Sequence, residues 1–293
     1  MIAYDAKRWF SLLFRVKGSV LPGLLPRIAI TSLIGAFAQI LFRTTGFRVP
    51  AIGHTLIGVA LGLLLVFRTN ASYDRFWEGR RLVGAITNRS RDLMRQVVSL
   101  FSGTDPRTRA EQADVQRLIV AFYRVMVQGL RDERDLTALG ALLSESERGA
   151  LDSVRARPGV VATWISKRIV AEAERTELAE TRLLAIDANL TALIDSWGAC
   201  ERILRTPVPF AYAQHIKLFV TVWCFSVPFA MVDALRWYTP VAAALLAFAL
   251  FGIDEIGVEI EDPFGYDAND LPLDAIGDGI EASSREILAA GQR

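Results

Sequence analysis

The 293-residue sequence has few of the residues that build metal centres, disulfides and catalytic triads. Its two cysteines, Cys200 and Cys224, form no CxxC pair and indicate no disulfide framework. Its two histidines, His54 and His215, leave little material for a zinc site or a histidine-based triad. The sequence has no P-loop and no GxSxG motif. These absences argue against an enzyme.

The chain also has no large excess of positive or negative side chains. The formal net charge is +1, and the sequence shows no nucleic-acid-binding motif, so we expect no nucleic-acid partner. In residues 68–213, no clear alternating strand pattern occurs, and the apolar periodicity is helical throughout. Residues 1–17 do not resemble a signal peptide, because Asp5, Lys7 and Arg8 interrupt them and no small-residue cleavage site is present.

Apolar residues, in contrast, are abundant and make up 52% of the chain. They concentrate in four stretches, at 28–42, 49–67, 216–235 and 238–253. Each approaches the roughly 20 residues that a helix needs to cross a bilayer core. Because the links within each pair are short, the sequence predicts two transmembrane helical hairpins.

The distribution of basic residues predicts how these hairpins are oriented. Five Lys or Arg residues precede the first span, at 7–27, and five follow the second, at 68–89, whereas the link between them carries only Arg43 and Arg48. Basic residues favour the cytoplasmic side, so both termini and the long middle segment should be cytoplasmic. The predicted regions are an N-terminal segment at 1–27, a first hairpin at 28–67, a cytoplasmic helical domain at 68–213, a second hairpin at 214–257, and an acidic loop with a tail at 258–293.

The middle segment carries explicit helix signals. Thr104 and Asp105 precede Pro106, which is typical of a helix start. Ser144 and Glu147 have the spacing of a capping box. Apolar residues recur at helical spacing at Val115, Leu118, Ile119, Phe122, Val125 and Met126.

The second span has an apolar stripe. At about 100° per residue, one narrow face of the helix carries Ile52, Leu56, Val59 and Leu63, with Ala60 at its edge. Such a stripe is typical of an ordinary buried helix. The alternative is a pore helix in a symmetric ring, where the stripe would form a constriction that gates by dewetting.

The opposite side of this span contains small and polar residues. Gly58 and Gly62 form a GxxxG pair, which permits close helix contact in lipid. His54 points away from the stripe, so we expect it to hydrogen-bond a neighbouring helix rather than to contact ions.

Three separated motifs resemble the bestrophin family in its bacterial form: FRTNASYDRFWEGRRLVG at 67–84, GACERILRTPVPFAY at 198–212 and IEDPFGYDANDLPLD at 260–274. The resemblance covers nearly the whole chain. It implies an all-α integral membrane protein with four transmembrane helices per subunit, long cytoplasmic helices and a homopentameric assembly around one pore. It also implies a location in the bacterial inner membrane, surrounded by lipid.

The resemblance assigns constrictions along that pore. The family's hydrophobic neck matches Ile52, Leu56 and Ala60. The family usually has a bulky residue at the innermost position of the neck, whereas this chain has the small Ala60 there. Leu63 is therefore expected to help close the neck. A second, cytoplasmic aperture is expected in TRLLAI at 181–186, at Leu183 or Leu184.

The resemblance also relates the acidic loop to the calcium clasp of animal members. The matching positions are Glu259, Asp262, Asp267, Asn269 and Asp270. In this chain, Ala268, Leu271 and Pro272 interrupt the acidic run. The alternative is that the acids pair with Arg75, Arg80, Arg81 or the basic N-terminal segment. No cofactor is expected to be required, and calcium is the less favoured interpretation.

Passive ion conduction is the leading functional hypothesis. Animal relatives conduct chloride, so the resemblance implies an anion channel first. A cation channel for sodium is the alternative, and a non-conducting helical scaffold is a further one. The acidic loop would favour cations, whereas Arg68 and nearby arginines would favour anions, and the sequence leaves open which set faces the pore.

Overall fold

The computed structural model describes residues 5, 7–101, 103 and 105–292, and in this part of the chain the only regular structure is helical. The all-α prediction is therefore confirmed. The α-helices are α1 (Trp9–Leu13), α2 (Leu21–Thr45), α3 (Ala51–Leu100), α4 (Pro106–Leu130), α5 (Glu145–Asp152), α6 (Arg157–Arg175), α7 (Glu180–Arg205), α8 (Phe210–Leu235), α9 (Thr239–Glu259) and α10 (Leu273–Gly291).

In the described part of the chain, three helical stretches are long and apolar enough to cross a membrane: Leu21–Thr45, Ala51–Leu100 and Phe210–Glu259. The last is divided by a 3-10 turn at Arg236–Tyr238, where Arg236 has a positive φ of 46°. The turn separates α8 from α9, and these two helices pack against each other. The described chain therefore has the four apolar helical segments that the sequence predicts.

The chain forms two compact units. The first contains the described residues up to Trp77 together with Pro207–Asp270, and the second contains Glu78–Thr206 and the described residues from Leu271 onward. The boundary between them falls inside α3, which continues without a break from the second apolar span to Leu100. The five regions predicted from the sequence remain a prediction.

In the first unit, α2, α3, α8 and α9 share one apolar core. Its fully buried members are Leu24, Leu61, Leu65, Ile216, Val220, Cys224, Ala247 and Phe251. Helix α2 lies very close to α9, because a Cβ added at Gly35 would stand 2.9 Å from the Pro240 Cα. A small residue is needed at this contact, as is common where helices associate in lipid.

In the second unit, α4 packs against α6, α7 and α10. All six apolar positions predicted for its core face are buried. The Ser144–Glu147 capping box is present at the start of α5. Asp105 caps α4, as predicted, whereas Thr104 lies outside the described residues.

The Asp105 cap gives a testable pH dependence. The pKa of Asp105 is lowered from 3.8 to about 2, chiefly because its carboxylate accepts hydrogen bonds from the Thr108 hydroxyl and amide. A carboxylate with a lowered pKa stabilises the fold above its ordinary pKa and loses that contribution as the pH falls through the lowered value. We expect Asp105→Ala to lower the melting temperature near neutral pH, by a difference that shrinks as the pH falls from 3.8 towards about 2.

Asp105→Asn is the matched control, because it retains an acceptor oxygen for the cap and loses only the charge. Its loss of melting temperature should be smaller and less dependent on pH. A difference between wild type and Asp105→Ala that stays constant over this pH range would contradict the assignment.

Candidate ion pathway

The apolar stripe of α3 is exposed in the single chain. Ile52 is 70%, Leu56 67% and Leu63 56% exposed, and Ala60 at the edge of the stripe is also exposed. The back of the same helix, at Leu61 and Leu65, is completely buried in the core. The sequence-predicted neck residues thus lie together on one uncovered face, and the role of that face remains a prediction.

The opposite side of α3 is hydrogen-bonded to α8. This confirms the prediction that His54 bonds a neighbouring helix. The His54 Nε2 lies 3.0 Å from the Ser226 Oγ, and the Trp223 indole N–H donates to the His54 carbonyl at 3.0 Å. A Cβ added at Gly58 would stand 3.1 Å from the Trp223 ring, whereas Gly62 faces open space. Of the two glycines in the GxxxG pair, the first therefore makes a close contact with the described part of the chain and the second does not.

Arg68 follows the span and is almost completely buried, with 2% of the residue exposed. Its Nε lies 3.2 Å from the Asp254 Oδ1, and its Nη2 lies 3.5 Å from the Glu261 Oε2. Asp254 also forms an ion pair with Lys217, whose Nζ lies 3.5 Å from the Asp254 Oδ2. Because Arg68 holds these two carboxylates inside the fold, it does not present its charge to the exposed face of α3.

Glu261 extends this cluster to the segments beside the membrane helices. Its Oε1 accepts a hydrogen bond from the Val208 amide at 3.0 Å, and its carbonyl accepts one from the Arg75 Nε at 3.1 Å. We name Arg68, Asp254 and Glu261 the buried ion cluster. It ties α3 to α9 and to the start of the acidic loop.

Sequence reasoning missed Asp254 as a site residue. A signal was available, because a carboxylate directly after an uncharged run must find a cation or a hydrogen-bond donor when it is buried. The sequence alone does not say which of the many arginines supplies that partner.

The acidic loop brings the predicted metal-binding residues close together in two groups. The Asp270 Oδ2 accepts a hydrogen bond from the Asp267 amide at 2.7 Å. The Asp262 and Asp270 carboxylates converge on Gly265, where an added Cβ would stand 3.6 Å and 2.8 Å from their Oδ2 atoms. In the other group, the Asn269 amide nitrogen donates to the Glu259 carboxylate at 3.0 Å.

This arrangement does not complete a calcium site within one chain. Calcium takes six to eight oxygen ligands. Among the described residues, no three Asp, Glu, His or Cys side chains are arranged to hold a metal ion, and Glu259 is engaged by Asn269. The side chains of this loop in one chain therefore do not fit a calcium ion.

The alternative clamp differs from the expected one. Glu261 pairs with Arg68, which was not among the expected partners. Among the described residues, Asp267 and Asp270 form no ion pair, and neither Arg80 nor Arg81 forms one with the acidic loop.

The predicted aperture residues lie at the start of α7. Leu184 is 62% exposed and Leu183 is half-buried. Both line a cavity of about 170 Å³ together with Ile169 and Val170 of α6. Leu184 is thus the more accessible of the two, and its role as an aperture residue remains a prediction.

The buried ion cluster generates a stability prediction. Arg68→Met would leave Asp254 buried without its main partner, and breaking a buried pair costs about 3–5 kcal/mol. We therefore expect a large fall in the melting temperature of the detergent-purified protein, followed by circular dichroism. Arg68→Met combined with Asp254→Leu should recover part of that loss, because the almost fully buried Asp254 carboxylate is then also removed. The remaining partners, Glu261 and Lys217, are more exposed to water.

Arg48→Met is the control for this experiment. Arg48 pairs with Asp233, but 59% and 46% of these two side chains are exposed, so the loss should stay below about 1 kcal/mol. Equal falls in melting temperature for Arg48→Met and Arg68→Met would contradict a stabilising role for the buried ion cluster.

Asp270 generates a second pH dependence, of opposite sign. Burial raises its pKa to about 6, and the nearby carboxylates of Asp267, Asp262 and Glu259 add to the rise, against a hydrogen bond from the Asp267 amide. An acid with a raised pKa contributes stability at low pH that is lost as the pH rises through the raised value. Asp270→Asn is neutral at every pH, so near neutral pH it should melt higher than wild type.

The difference should disappear below the ordinary carboxyl pKa of 3.8, and Asp267→Asn, at an exposed position, should change little. A lower melting temperature for Asp270→Asn near neutral pH, together with sensitivity of the wild type to EDTA, would contradict this account. Such a result would restore the calcium interpretation.

A family model and similar proteins of known family agree on the family of this chain. The family model described as "Bacterial/Fungal Bestrophin protein" matches residues 1–286. A protein of Nostoc sp. named "voltage-dependent anion channel-forming protein" is 41% identical over 271 residues, covering 92% of this chain and 88% of the relative. A protein of Synechocystis sp. with the same descriptive name is 36% identical, covering 96% and 92%.

Solved structures agree with the sequence comparisons. The crystal structure of a bacterial bestrophin homologue from Klebsiella pneumoniae matches with a TM-score of 0.84 at 29% identity, covering 90% of this chain and 98% of that one. The channel-forming relatives also support the expectation that the chain is not an enzyme. From its sequence, its fold and its relatives, this chain is a bacterial membrane protein that belongs to the bestrophin family.

Proposed function

We propose that this protein is a homopentameric ion channel in the bacterial inner membrane, with α3 of each subunit lining a central pore. The observation that carries the proposal is the exposed stripe of α3, whose opposite side is locked into the subunit core. Association of identical subunits around an axis would cover this stripe. Both termini would be cytoplasmic, and the outward faces of the other apolar helices would contact lipid.

The neck would work by excluding water rather than by binding ions. Ile52, Leu56 and Leu63 offer no charge and no hydrogen-bonding side chain, so a narrow ring of them would favour a dry state that blocks ions. The small side chain of Ala60 leaves more room in the ring, so Leu63 would contribute most to closing the neck at that end. Opening would require widening the ring enough for water to enter.

Anion conduction is the first expectation, because the relatives from Nostoc and Synechocystis are named anion channel-forming proteins. One observation favours the sodium-conducting alternative. Arg68 was a candidate for attracting anions, and its charge is directed into the buried ion cluster. The aperture would be formed by Leu184 or Leu183, and neither conduction nor assembly in this proposal requires calcium.

The neck is tested by the double variant Ile52→Ala, Leu56→Ala. Smaller side chains widen the dry ring and allow water to enter, so ion flux into liposomes should rise several-fold while the assembly stays intact. Chloride and sodium flux should both be measured, together with the mass of the assembly in mild detergent.

The matched control is Leu33→Ala, Ile40→Ala on α2, which removes the same kind of exposed apolar side chains from a face that we assign to lipid. This control should leave flux unchanged. A monomeric or dimeric mass for the wild type would count against the pentamer. Equal flux for wild type and the neck variant would place the gate elsewhere.

A further inference from the structure

The exposed stripe of α3 continues beyond its apolar part. Residues 18 apart on a regular α-helix are separated by five full turns and share one direction, about 27 Å apart along the axis. Asn70 therefore lies directly in line with Ile52, and Asp74 lies directly in line with Leu56. Because α3 is unbroken across these positions, any space lined by the apolar stripe is bordered further along by Asn70 and Asp74.

Asp74 is exposed and has no ion pair or hydrogen bond to another residue in the described part of the chain. Two basic side chains of α3 that lie near Asp74 in sequence, Arg68 and Arg75, both contact Glu261 instead. The exposed Arg81 follows Asp74 on the same face about two turns further on. Arg68 is held by Asp254 and Glu261, and the Arg75 Nε donates to the Glu261 carbonyl. The first charged side chain on the stripe after its apolar part is therefore an unpaired carboxylate.

We propose that Asp74, one from each subunit, forms a ring of carboxylates on the cytoplasmic side of the neck that attracts small inorganic cations and repels anions. The inference rests on the proposed channel function. Charged rings act as selectivity elements when low-dielectric walls concentrate their field. The neck supplies no charge of its own, so Asp74 would set the preference for the sign of the permeating ion.

The direct test is the reversal potential of purified channels in planar bilayers under a salt gradient. Asp74→Asn should shift the permeability ratio several-fold towards chloride. Asp74→Glu retains the charge and should behave like wild type. Glu286→Gln, which neutralises an exposed carboxylate on α10, should leave the ratio unchanged.

A second measurement does not require current. Both native cysteines are buried, so an added cysteine at Asn70 would react almost alone with water-soluble thiol reagents. Each rate should be divided by the rate of the same reagent with a small free thiol, because a thiolate reacts faster with a cationic reagent even in free solution. On this scale, a cationic methanethiosulfonate should modify Asn70→Cys about threefold or more faster than an anionic one, because the carboxylate ring concentrates cations. Adding Asp74→Asn should remove this preference.

The two measurements separate failure of this inference from failure of the channel proposal. Current with the same reversal potential for wild type and Asp74→Asn would overturn the role of Asp74 while leaving the channel in place. Absence of current from the wild type would count against the channel, and the labelling rates would then decide the inference alone. Equal rates for the two reagents at Asn70→Cys, each relative to its rate with a free thiol, would overturn it.

Discussion

The buried ion pair between Arg68 and Asp254 is the constraint on which the rest of the structure depends. Both side chains are almost fully removed from solvent, with 2% and 3% exposed. Burying two charges is costly unless each has a close partner, so these groups tolerate little displacement from each other. The pair therefore fixes the rotation of α3 against α9.

That rotation determines which face of α3 is left uncovered. Arg68 lies 16 residues after Ile52, which places it about 160° around the helix from the apolar stripe. With Arg68 held inside, the stripe must point outwards. His54 and Gly58 act in the same sense, since both contact α8 on the inner side of the helix. The charge buried on one side and the apolar residues presented on the other are consequences of the same packing.

The sequence predicted the features that repeat along one helix. The stripe from Ile52 to Leu63 and the core face of α4 follow from a 3.6-residue period, and the Ser144 capping box follows from local spacing. Contacts between distant positions were not accessible in this way. Arg68 and Asp254 are separated by 186 positions, and periodicity does not say which arginine meets which acid. The burial of Asp270 also depends on how the loop folds back.

In the proposed pathway, gating and ion selectivity are carried by different residues. An apolar neck without charge controls whether water and ions pass, and a carboxylate further along α3 controls which ions collect there. The buried ion cluster contributes to both, because it removes the charge of Arg68 from the pathway while orienting the helix. Selectivity in this view depends as much on the arginine that is hidden as on the aspartate that is exposed.

The most direct test of the central claim measures distances between copies of α3. A spin label at Leu56→Cys, in a chain whose native cysteines are buried, reports the spacing of the stripes by pulsed electron resonance. A five-fold ring predicts two distances with a ratio of about 1.6, and these should be shorter than those from a label at Leu33→Cys on α2. A single distance, or longer distances from Leu56 than from Leu33, would contradict a stripe that faces a shared pore.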